Sequence, residues 1–115
     1  MNVDWYWTKG LFDAVIQKIE IRDIPYDYTE KNPIRNCLTI YLDSQNAIYD
    51  TSIKELRFYN HKLITGDVSI TGWWKNDNLK DENGRFVLTI DIGTMQHDCI
   101  LQFSFETCRV IHGTL

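Results

Sequence analysis

No stretch of this 115-residue chain approaches the roughly 18 consecutive apolar residues that a membrane-spanning helix needs. The opening MNVDWYWTKG has no basic region followed by an apolar run, so no secretory leader is expected and the cytoplasm is the expected location. Cysteine is scarce. Cys37, Cys99 and Cys108 are an odd number without CxxC spacing, whereas a secreted disulfide scaffold carries more, in even count. Basic residues are too few and too scattered for a phosphate-neutralising field: twelve Lys and Arg face sixteen Asp and Glu, giving a net charge of −4. General nucleic-acid binding and binding to anionic membranes are excluded on that ground. The six glycines are isolated, so no phosphate cradle is evident, and GxSxG, P-loop and HExxH motifs are absent.

What the chain does have is aromatic and β-branched residues. Four Trp, six Tyr and five Phe accompany a 43% hydrophobic composition, which favours half-buried pleated surface. The densest information lies in Ser52 to Lys75. Leu56 and Phe58 alternate with Glu55, Arg57 and Tyr59. Beyond Thr65-Gly66-Asp67, Val68, Ile70 and Trp74 alternate with Ser69, Thr71, Trp73 and Lys75. Two period-two runs joined by a glycine turn predict a β-hairpin.

The same reading covers the rest of the chain. Val3 to Trp7 is a candidate edge strand. Residues 11–21 mix helical and strand spacing and are expected to be mainly strand, with a helical turn near Asp13. Residues 23–35 hold both prolines and read as a loop. Cys37 to Asp43 reads as a strand, with Leu38, Ile40 and Leu42 inward and Thr39 and Tyr41 outward. Residues 43–46 read as a turn, Ala47 to Asp50 as a lead-in, and 76–84 as a polar connection ending in a turn-competent Asn-Gly pair. Phe86 to Ile92 and Ile100 to Glu106 alternate clearly, the latter extendable to Ile111. The expectation is one domain over residues 1–115: an antiparallel β-sandwich or partly open barrel of seven or eight short strands, with at most one short helix.

Candidate chemistry is sparse. His97-Asp98-Cys99 groups three potential metal ligands, and His112 comes near if the last strand folds back. On a strand, however, His97 and Cys99 share a face while Asp98 points away, and a structural zinc site needs four converging ligands. No metal and no cofactor is expected. The three cysteines lie in strand-like runs, where a free thiol packs as a small hydrophobe, so a Cys–His nucleophile is not expected either. Asp91 sits opposite an apolar face and reads as solvated. In Trp73-Trp74 one indole must be core and the other outward, there to anchor a partner or to lie under the Trp5–Trp7 segment or a second sheet.

The loop Asp23-Ile24-Pro25-Tyr26-Asp27-Tyr28-Thr29-Glu30 interleaves tyrosine with carboxylate, a combination suited to gripping a basic protein. Asp77, Asp81 and Glu82 form a second acidic stretch. The candidate partner-binding residues are therefore Asp23, Tyr26, Asp27, Tyr28, Glu30, Trp73, Asp77, Asp81 and Glu82.

Two stretches resemble a known group. Leu11-Phe12-Asp13-Ala14-Val15-Ile16 resembles the L-H-D-A-x-I opening of a set of small bacterial domains of unknown function, with Phe12 standing where the pattern has His. Ser52 to Lys62, followed by Trp73-Trp74, is similar to an I-K-E-I-x-x-Y-N-x-K … W-W pattern in the same kind of protein. The resemblance implies a largely β fold and, through some relatives described as immunity proteins of bacterial toxin systems, a toxin domain as partner; the chain's acidity makes a basic one the expectation. The expected function is thus a non-enzymatic protein-binding domain. The alternatives are a small-ligand-binding β-barrel or small enzyme with its site near Trp73 and His97, and a structural oligomerisation module.

Overall fold

Alternation of inward aliphatic and outward polar side chains decides most of the strands. The computed structural model describes residues 10–25, 34–45, 47 and 52–113, which contain eight strands and no helix. These are β1 (Val15–Pro25), β2 (Ile34–Asp43), β3 (Ile53–Tyr59), β4 (Lys62–Thr65), β5 (Gly72–Glu82), β6 (Arg85–Gly93), β7 (Cys99–Phe105) and β8 (Thr107–His112). All pair antiparallel in one sheet of order β4-β7-β6-β5-β1-β2-β3-β8, which does not close into a barrel. The strand expected within residues 11–21 forms as β1, but the turn at Phe12-Asp13 that leads into it is not helical. Asp13 takes a left-handed φ of 72° there.

The sheet folds over on itself. Phe58 of β3 makes edge-on contact with Phe103 and Phe105 of β7, each at 4.8 Å between ring centroids, although β3 and β7 are not sheet neighbours. Ile16, Leu38, Ile40, Leu56, Trp74, Leu88, Ile90, Ile92 and Leu101 complete this core, all fully buried. The fold-over is fixed at one corner, where β3 passes into β4. Asn60 takes φ 54°, a conformation asparagine tolerates, and its amide donates to Asn36 O at 2.7 Å. Arg85 spans the corner. Its Nη2 donates to Asn60 O at 2.5 Å, its Nε to Ser104 Oγ at 3.3 Å, and its Nη1 pairs with Glu106 at 3.2 Å.

The hairpin expected across Thr65-Gly66-Asp67 does not form. β4 pairs with β7, whereas β5 pairs with β6 and briefly with β1. The residues after Gly66 take a turn of their own. The Asp67 carboxylate accepts from the Ser69 amide and hydroxyl, both at 2.8 Å, so residues 67–70 curl into a turn instead of extending a ladder. Val68 and Ile70 still pack on the core, which accounts for their alternation. The polar run 76–84 is likewise not a connection. It continues β5 to Glu82, then turns at Asn83 and Gly84, both at positive φ, into β6. Its strand character was masked because its inward positions include Asp77. Thr39 is directed away from the main core, as expected of its parity, yet it is fully buried beside Cys37, 3.4 Å from Oγ1 to Sγ. The loop expected over 23–35 gives up both its ends, because the β1–β2 ladder continues until Pro25 stands opposite Ile34, so that residues 23–25 belong to β1 and 34–35 to β2. The Val3–Trp7 edge strand, residues 26–33 of that loop and 48–50 of the lead-in lie outside the described residues.

Candidate functional site

Trp73 and Trp74 divide the two faces of β5. Trp74 is fully buried, and its Nε1 donates to Asp77 Oδ2 at 2.6 Å. Residues three apart on a regular strand face opposite ways. A bulge at Lys75 turns Trp74 and Asp77 to the same side, opposite Ile92 and Ile90 respectively. Asp77, a predicted contact residue, thus serves the interior. Trp73 points outward with 37% of its surface exposed.

Two glycines shape the ground under that indole. Trp73 pairs with Gly93 of β6 and, on its other side, with Val15 of β1. A methyl group at Gly93 would fall 2.6 Å from Trp73 Nε1 and closer still to Cε2 and Cζ2. The indole therefore lies on the Gly93 backbone, held by contact on one side and open to solvent on the other. At Gly72 a methyl would meet the Gly93 carbonyl oxygen, so β5 and β6 approach closely at this point.

Immediately after Gly93 the chain makes an ordered turn. Thr94 Oγ1 accepts from the amides of Gln96 at 3.3 Å and His97 at 3.1 Å, and donates to the His97 carbonyl. The turn holds Met95 out with 96% of its surface exposed. On either side of it lies an open cleft. One, of about 480 Å³, is lined by Val15, Ile16, Gln17 and Trp73. The other, of about 460 Å³, is lined by Ile70, Gln96, His97 and Cys99. Thr71, Thr94 and Met95 belong to both. Among the described residues no carboxylate, lysine or arginine lines either cleft. An ion pair between Lys75 and Asp98 bounds the platform, and its hydrogen bond raises the Lys75 pKa above its ordinary value.

The other predicted residues do not gather here. Asp23 lies near the far end of β1 from Val15, exposed; Asp81 and Glu82 lie at the far end of β5 from Trp73, also exposed. Tyr26, Asp27, Tyr28 and Glu30 are outside the described residues. What the structure does bring together is Trp73 with Thr94 and Met95 in one cleft, and the same Thr94 and Met95 with His97 and Cys99 in the other. His97 and Cys99 share a cleft without a hydrogen bond between them. Among the described residues no three His, Cys, Asp or Glu side chains converge as a metal site. Sequence reasoning missed Val15, Gln17, Thr71 and Met95, which come from three separate segments. The usable signal was Met95 itself, an apolar residue inside the polar run Thr94 to Asp98.

Three titratable groups lie away from this surface. Burial pushes the Cys37 thiol and the Tyr59 phenol up, in a small cluster separate from the main core. Burial pushes His61 down, beside Arg85 at the corner, and its Nδ1 has no hydrogen-bond partner among the described residues. Comparison with family models, with curated proteins and with solved structures finds no match to this chain.

Proposed function

We propose that this chain is a non-enzymatic protein-binding domain whose contact surface centres on Trp73 and Met95. The observation that carries the reading is the indole pinned on Gly93 with its outer side open, continuous with exposed Val15 and Met95. Large rigid aromatic surface and methionine are what protein interfaces concentrate at their centres. The lining is uncharged, so the attraction there is apolar contact. The net charge of −4 favours a basic partner through the surrounding field. In its sharpest form the reading is an immunity protein neutralising a basic toxin domain, which the two motif resemblances support.

The test is co-expression with each protein encoded beside this one, followed by affinity measurement on any complex formed. Trp73→Ala and Met95→Asp should each weaken binding about tenfold or more, as central contact residues do. Unchanged affinity in both variants removes this surface from the model. A second reading, a small neutral ligand, is favoured by the paired clefts, since ligand sites are concave and mostly apolar with a few polar groups. Saturable quenching by a small molecule, lost in Trp73→Ala, would support it.

A further inference from the structure

Met95 occupies an unusual position for an apolar residue. It is almost wholly in water, held there by a hydrogen-bonded turn, and its side chain forms part of the wall shared by the two clefts. Thioether oxidation follows exposure, and the product is a polar, chiral sulfoxide. The three thiols are shielded to different degrees: Cys37 and Cys108 are fully buried and Cys99 is half-buried.

We propose that Met95 is an oxidative modification site, and that its conversion to the sulfoxide by hydrogen peroxide switches off the binding surface around Trp73. The proposal rests on the reading of that surface as the contact site. In the step, a sulfur lone pair attacks one peroxide oxygen. The S–O bond forms, the O–O bond breaks, and water leaves after proton transfer to the departing oxygen. The thioether loses two electrons and the peroxide gains them. The sulfoxide oxygen then stands in the wall of both clefts, where a partner's apolar group would strip it of water without supplying a donor. Methionine sulfoxide reductase reverses the change.

The experiment uses the full chain carrying Cys99→Ser, so that no thiol lines the cleft, with hydrogen peroxide as oxidant and the uncharged dye Nile red as the apolar probe. Peptide mapping separates Met95 from Met1. Met95 should oxidise within about threefold of the rate of free N-acetylmethioninamide, as full exposure requires. Dye emission should fall severalfold with oxidation and recover with the reductase, and the emission of Met95→Leu, referred to its own untreated value, should not change on the same treatment. Protection of Met95 by more than about tenfold overturns the proposal. So does unchanged emission at full oxidation, or an equal loss in Met95→Leu. Trp73→Ala separates the two readings. If it leaves the dye bound, the surface reading itself falls; if it releases the dye while the sulfoxide does not, only the switch falls.

Discussion

Replacing Gly93 by alanine moves the Trp73 indole without deleting it. Gly93 has no left-handed φ, so alanine fits its backbone. The added methyl falls on the indole, which is an outward side chain and can swing away. Losing roughly 60 Å² of apolar contact costs about 1.5 kcal/mol. Alanine offsets about 0.4–1 kcal/mol of this by restricting the unfolded chain. The net loss is about 0.5–1 kcal/mol, a fall of about 2–4 °C in Tm for a domain of this size. Gly72→Ala is the internal control. Its methyl meets the carbonyl oxygen of Gly93, part of the backbone, and cannot be relieved by a rotamer change. Overpacking of that kind costs about 2–3 kcal/mol, so its Tm should fall about twice as far or more. Thermal melts, tryptophan emission and partner affinity give the answer. Gly93→Ala should stay folded, shift its emission to the red and bind about tenfold more weakly. If Gly93→Ala melts as low as Gly72→Ala, the indole is locked by its surroundings and the platform argument fails. If emission and affinity both stay unchanged, the indole never rested on Gly93.

Asp77→Ala should destabilise by about 1–3 kcal/mol in urea unfolding, because it strips the Trp74 Nε1 donor of its acceptor in a half-buried site. An unchanged midpoint would mean that water or another group replaces the carboxylate. Phe58→Ala removes a ring packed edge-on against Phe103 and Phe105, and should cost about 3–5 kcal/mol by the same assay. A loss below 1 kcal/mol, roughly that of a surface change, would contradict the packing described. Stability should also fall as pH drops below His61's ordinary value of 6.5. Its folded pKa lies lower than its unfolded one, so between the two the unfolded chain binds more protons and stability rises with pH. Stability is therefore full above 6.5 and is lost on acidification towards the folded pKa. Comparing the wild type with His61→Asn at about pH 7.5 and 5, above the carboxylate range, isolates the effect. Equal pH slopes in the two proteins would refute it.

Alternation alone determined the all-β class, the faces of β2, β6 and β7, the Asn83-Gly84 turn and the opposed faces of Trp73 and Trp74. Each is a period-two or two-residue property, written locally and little changed by what packs around it. Pairing partners are not local. Asp67 draws neighbouring amides into a turn, and β4 and β5 go to different strands although Thr65-Gly66-Asp67 looks like a hairpin turn. The bulge at Lys75 is invisible in the sequence for the same reason, since an extra residue is defined only against its partner strand. The candidate surface belongs entirely to this second category. That one indole of Trp73-Trp74 faces outward was legible, but which of the two it is follows from the structure, and Val15, Gly93 and Met95 become neighbours of Trp73 only when β1, β5 and β6 lie side by side. Residue chemistry decided what could be there; the strand order decided what stands next to it.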